Sequence, residues 1–218
     1  MTAEPTEFEP RWPAALAALL AAALYLTLPN ALVLGPPFVR YLVPALELAV
    51  LIPLAVTAPH RHVNESGRRR KAAMTLTALI SIANALSLFF LVHQLLYGTG
   101  VQGRALLYGA FSIWATNVIV FALWFWELDG GGPPSRLAHP KEPRDFAFVQ
   151  MTDPEVAAAG WRPRFEDYLY VSFTNSSAFS PTDTMPLTRW AKLLMMLQSS
   201  ISILTLLLVA ARAVNILH

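Results

Sequence analysis

"FEDYLYVSFTNSSAFSPTDTMPLTRWAKLLMMLQSSISILTLLLVAARAV" occupies Phe165–Val214, and its two halves demand different surroundings. The second half, Leu187–Val214, is almost continuously apolar and long enough, at ~1.5 Å per helical residue, to cross a bilayer core of ~30 Å. The first half cannot do so. Glu166–Phe173 has the pattern of a short amphipathic helix, and hydroxyl and amide side chains follow it up to a kink at Pro181. Short helix, polar turn, long apolar helix is the layout of a re-entrant loop. Non-helical backbone at membrane depth is tolerated only against protein or a water-filled cavity.

Working outward, four further apolar segments precede this one: Pro13–Val33, Phe38–Ala58, Ala72–Leu96 and Ala105–Leu128. The first is the least comfortable span, because "LPN" at Leu28–Asn30 can end its helix early. The chain of 218 residues is 55% hydrophobic and 14% charged, where a soluble domain carries about a quarter charged residues. The expectation is an all-α, polytopic integral membrane protein with about five transmembrane helices. A short re-entrant helix is expected before the last of them. The N-terminal "MTAEPTEFEPRW" is acidic, unlike a cleavable signal peptide, so the first apolar run is expected to be retained.

The connections differ in character. "APHRHVNESGRRRKAA" carries the densest positive charge, and "GTGVQG" reads as a tight turn. "WFWELD" reads as an aromatic belt at a membrane interface. Residues 129–164, opening "GGGPPSRLAHPKEPRD" after Asp129, read as a flexible and then stiff linker, too short and polar for a core of its own. There are no cysteines, which excludes a disulfide framework and any thiolate chemistry. No HExxH, P-loop or dinucleotide signature occurs, and no serine has an evident His–Asp set, so an enzyme is not expected. No metal site and no cofactor are expected either; His60, Arg61 and His62 read as part of a solvated basic loop.

Asp167–Gln198, "DYLYVSFTNSSAFSPTDTMPLTRWAKLLMMLQ", resembles the pore region of two-transmembrane-type potassium channels. Their pattern runs roughly D-x-L-Y-F-S-F-x-T-x-T-T-V-G-Y-G-D-x-x-P-x-T-x-x-G-R-L-L and lies over this stretch without a gap. Asp167, Leu169, Tyr170, Ser172, Phe173, Asp183, Pro186, Thr188, Leu193 and Leu194 fall on matching positions, and Lys192 stands for the arginine. The resemblance implies a bacterial channel-like protein of the inner (plasma) membrane, assembled as a homotetramer. It divides the chain into an N-terminal three-helix membrane region (1–97) and a channel-like region (98–218). The second region holds an outer helix, the linker 129–164, a pore-type helix and loop, and an inner helix.

The family's filter is replaced. Ala178, Phe179, Ser180, Pro181, Thr182 and Asp183, preceded by Ser177, stand where the family has T-V-G-Y-G-D. A potassium filter presents successive backbone carbonyls to the ion, a path that uses positive φ at the glycines. The last glycine of this chain is Gly160, and Pro181 fixes its own φ near −65°. What the resemblance then implies is a weakly selective pore for monovalent cations, or one that has lost K⁺ selectivity, with Asp183 in a carboxylate ring. Gln198, Ser202 and Thr205 share one helix face. They are candidates for pore lining, or for hydrogen bonds between helices.

Two alternatives stand beside the pore. One is a non-conducting oligomeric interaction or regulatory protein. The other is a small transporter built on Glu47, an intramembrane carboxylate for which Asn84 and Asn117 are candidate partners. The expected partners are the lipid bilayer and further copies of the chain, with no nucleic acid. Two spans separate the Arg-rich loop from the pore-like region, placing both on one side. The positive-inside rule puts that side in the cytoplasm, whereas the resemblance puts it outside, the orientation favoured here.

Overall fold

The structure, a computed structural model, describes residues 9–36, 38–57, 60–61, 67–98, 103–139, 142–152, 155, 161–180 and 183–216. It is all-α in class. The helices are α1 (Trp12–Thr27), α2 (Val39–Thr57), α3 (Gly67–Tyr97), α4 (Gly103–Leu128), α5 (Pro133–Ala138), α6 (Val149–Thr152), α7 (Phe165–Ser177) and α8 (Arg189–Ile216). Two short antiparallel pairings add to them. Strand β1 (Glu9–Pro10) meets β2 (His60–Arg61), and β3 (Phe146–Ala147) meets β4 (Met185–Pro186), with Phe146 opposite Pro186.

Among the described residues, three helices are long and apolar enough to cross a membrane: Gly67–Tyr97, Gly103–Gly131 and Arg189–Ala211. The other two apolar segments differ from them. α1 stops at Thr27, where Leu28 and Pro29 turn extended (ψ 144° and 146°) before a 3-10 turn at Asn30–Leu32. Pro29 restricts the residue before it to that region, so the helix is 16 residues long rather than the 21 of Pro13–Val33. α2 has 19 residues and carries Pro44 and Pro53 inside it.

α4 is the hub of the packing. It is largely apolar, and its second half is buried on nearly every side, as expected of a core helix. Its residues from Thr116 to Leu123 are buried without interruption. α1, α3, α7 and α8 surround it. One core joins Ala14 and Ala18 of α1, Leu76 and Ile80 of α3, Phe121 and Phe125 of α4, Tyr168 of α7 and Ala191 of α8. Residues on both sides of the 97/98 division therefore share a core. A second cluster at the other end of α4 is built on Leu32, which is fully buried. Leu32 fits there because Gly109 has no side chain; a Cβ at Gly109 would lie 2.4 Å from Leu32 Cδ1.

Two readings of the connections are corrected. "WFWELD" is not an interfacial belt, since Phe125, Trp126 and Glu127 are all at most 2% exposed. The linker is not merely flexible and stiff chain either. Phe146 and Phe148 turn back into the core, where their rings meet Tyr168 at centroid distances of 6.3 and 5.4 Å. Aromatic rings bury 150–250 Å² each. That offsets the cost of ordering a segment otherwise rich in charge and proline.

Candidate functional site

The sequence places chemistry at the α7–α8 junction, and the structure builds that junction as a hairpin hung from one end of α4. At the upper end, Asp129 is fully buried. One of its carboxylate oxygens accepts the backbone N–H groups of Asp145 (2.7 Å) and Phe146 (3.1 Å). The other accepts the Tyr168 hydroxyl at 2.6 Å. Arg136 donates to the carbonyls of Trp126 and Asp129 at 2.7 and 2.8 Å, and its guanidinium lies 5.1 Å from the Tyr168 ring centroid. Asp145 completes the clamp. Its carboxylate accepts Gly130 N–H at 3.0 Å and the Thr188 hydroxyl at 2.6 Å, and its carbonyl accepts Leu187 N–H. Both ends of the hairpin, the start of α7 and the start of α8, are thus tied to the C-terminus of α4.

The turn that makes this possible is "DGGGPP". Gly130, Gly131 and Gly132 all have positive φ (54°, 79° and 92°), the left-handed region that only glycine enters cheaply. A Cβ on Gly132 would also meet the Glu127 carbonyl at 2.8 Å. That carbonyl accepts a hydrogen bond from Arg70 Nη2 at 3.1 Å. The basic start of α3 therefore lies at the same end of the bundle as the start of α7.

From the clamp, α7 runs down beside α4. Its first turn is closed by Arg164 N–H donating to Asp167 Oδ2 at 2.7 Å. Further down, the Ser172 hydroxyl donates to the Val118 carbonyl at 2.6 Å, and the Trp114 indole N–H donates to the Ser176 carbonyl at 3.5 Å. α7 has 13 residues, about 20 Å of helix, and it ends level with the middle of α4. The chain then returns to β4 and the clamp. Ser177, Ala178, Phe179, Ser180 and Asp183 lie exposed along this return. Pro181 and Thr182 lie outside the described residues. Phe179 has φ +53°, so the one left-handed residue among the described residues of the loop is an aromatic, where such geometry is a marked outlier.

Gln198, Ser202 and Thr205 are fully buried. They face α4 and α7 within the chain rather than an open channel. Gln198 Nε2 donates to the Ser172 carbonyl (2.9 Å) and to the hydroxyls of Ser172 (2.6 Å) and Ser176 (2.7 Å). Its Oε1 accepts Asn175 Nδ2 at 2.8 Å. Asn117 Nδ2 donates to Ser202 Oγ at 3.0 Å and to the Gln198 carbonyl at 3.3 Å. Thr205 donates to the Ile201 carbonyl of its own helix, a back-bond that lets a hydroxyl sit in an apolar interior. Burial turns these groups to one another because an unpaired polar group in such surroundings is costly. The opposite face of α8 is apolar and outward: Leu193, Met196, Leu197, Leu204 and Leu207 are exposed.

Glu47 is 3% exposed, and its Oε2 has no hydrogen-bond partner among the described residues. It lies within electrostatic reach of Tyr25. Asn117 is committed to α8 and Asn84 makes no side-chain hydrogen bond among the described residues, so neither partners Glu47.

Sequence reasoning missed the clamp. Its signal was present as an acidic residue at a helix end followed by three glycines, but it lay in a segment read as linker. It also missed Asn117 and Asn175 as the amides that knit α4, α7 and α8. Compared with known protein families, curated proteins and solved structures, the chain matches none of them.

Proposed function

We propose that this chain is a subunit of an oligomeric, channel-like protein of a bacterial inner membrane, a homotetramer that passes monovalent cations with little discrimination. In this reading α1 and α2 cross the bilayer together with α3, α4 and α8, and α7 enters it and turns back. One observation carries the proposal. Ala178, Phe179 and Ser180, exposed and non-helical, follow the end of α7, which the Trp114–Ser176 hydrogen bond sets level with the middle of α4, a helix long and apolar enough to span. Exposed backbone at that depth requires either water or another protein surface. A ring of identical subunits supplies both, with the hydroxyls and Asp183 turned to a common axis.

The test is flux through purified protein in liposomes under Na⁺ and K⁺ gradients. Cation flux that falls severalfold in Asp183→Asn supports the pore, because a carboxylate ring concentrates cations at its mouth. Anion flux, or cation flux indifferent to this substitution, overturns it.

A second reading, a non-conducting oligomeric scaffold, is favoured by a different observation. The polar stripe of α8 is consumed inside the chain, leaving apolar side chains on its free face. A passage walled by such a face closes by dewetting. Stable tetramers that remain silent at every voltage and pH would select this reading.

A further inference from the structure

We propose that the groove between α3, α4 and α8 is a binding site for a small neutral amphiphile drawn from the bilayer, an apolar body bearing one hydroxyl or carbonyl group. A cavity of about 430 Å³ is walled by Ile82 and Asn84 of α3, Asn117, Phe121 and Trp124 of α4, and Ile201 of α8. This lies within the range of about 300–1,000 Å³ typical of small-molecule sites, which are mostly apolar with few polar groups. A second cavity, of about 440 Å³, shares Trp124 and Leu194 with it and runs toward Asp129.

The polar group at this site is Asn84. The residue is 7% exposed, lines the cavity and makes no side-chain hydrogen bond among the described residues. An amide that opens onto an apolar cavity without a partner is unfavourable, and a ligand hydroxyl or carbonyl relieves this. The neighbouring donors are already engaged. Asn117 Nδ2 is bonded to α8, and Ser81 accepts the Trp124 indole N–H at 3.0 Å while donating to Thr77. Among the described residues no charged side chain lines this cavity, and a charge there would be expensive. The ligand is therefore neutral. Ile82, Ala85 and Leu197 at the mouth are exposed on the outer, apolar surface of the helices, so access is sideways from lipid. The site is independent of whether the protein conducts.

The experiment uses the full chain in lipid nanodiscs and a photoreactive medium-chain alcohol, with labelled residues mapped by mass spectrometry. Label is expected on α3, α4 and α8 around Trp124. It should be displaced by the unlabelled alcohol and not by an alkane of the same length. Asn84→Leu, an apolar change in an apolar setting, should weaken labelling about tenfold, as expected for the loss of one buried hydrogen bond. Ala85→Trp, at an exposed position of the mouth, should abolish it without touching the core. Equal competition by the alkane, or labelling unchanged in Asn84→Leu, would overturn the proposal in favour of a plain lipid-chain groove. Crosslinking of these residues to a second copy, in place of label, would overturn it in favour of a subunit contact.

Discussion

Gln198 shows how one side chain can hold three helices. Its carboxamide bonds to two α7 serines and to Asn175, while its backbone carbonyl accepts from Asn117 of α4. Gln198→Leu removes one member and strands the others, each buried polar group costing about 1–3 kcal/mol. Ser202→Ala removes a single bond, of the order of ~0.6 kcal/mol for interhelical bonds in membranes. Thermal unfolding in detergent should rank them so, with Gln198→Leu clearly lower; equal melting temperatures would mean the network carries no stability. Phe179 poses the opposite case. A non-glycine residue in left-handed geometry costs roughly 1–2 kcal/mol. Phe179→Gly should therefore be more stable than Phe179→Ala by about 1 kcal/mol, and the same melts measure it. Glu47 is a third. Its buried, partly unsatisfied carboxyl makes Glu47→Leu stabilising by about 1–3 kcal/mol, and proton-coupled uptake abolished by the same substitution would identify the residue as retained for transport.

At the scale of elements, the sequence was legible where periodicity and length decide. Phe165–Ser177 reads as a short helix because hydroxyl and amide residues and a proline follow an amphipathic stretch, and the helix ends there. The three long apolar helices were equally plain. The return of the linker was not, because nothing local distinguishes "RDFAFVQ" from exposed chain. Phe146 and Phe148 are buried by Tyr168 and Phe125, which lie close in space and not in sequence. The inward turn of Gln198, Ser202 and Thr205 was open for the same reason: a helix face shared by polar groups does not say what it faces. The element arrangement carries its own prediction. Arg70 bonded to the Glu127 carbonyl puts the start of α3 beside the end of α4. With no native cysteine to interfere, Arg68→Cys and Ala138→Cys should both label from one side of sealed vesicles with an impermeant maleimide. Labelling from opposite sides would break the α3–α4 hairpin as drawn.

For the whole molecule, the clamp and the return segment divide the work. The clamp, built from Asp129, Tyr168, Arg136, Asp145 and Thr188, fixes both ends of the hairpin to α4 and needs no second subunit. The exposed stretch between them carries no glycine, so it lacks the residues that a carbonyl ladder of alternating hand uses. Discrimination between K⁺ and Na⁺ depends on such closely spaced carbonyls replacing the hydration shell. Hydroxyls and a carboxylate can hold ions that keep part of their water, and they distinguish the two poorly. If the pore proposed above conducts, the native protein should therefore show a permeability ratio close to one in single-channel recordings with opposed Na⁺ and K⁺. Replacing Ala178–Thr182 by the "TVGYG" of potassium channels keeps the hairpin length and leaves the clamp untouched. If the subunits meet around an axis at this segment, that replacement should raise the preference for K⁺ above the native value. Strong K⁺ selectivity in the native protein would refute the argument from the missing glycines. A transplanted loop that leaves the ratio at one, in a protein that still conducts, would mean that ions pass somewhere other than along this return segment.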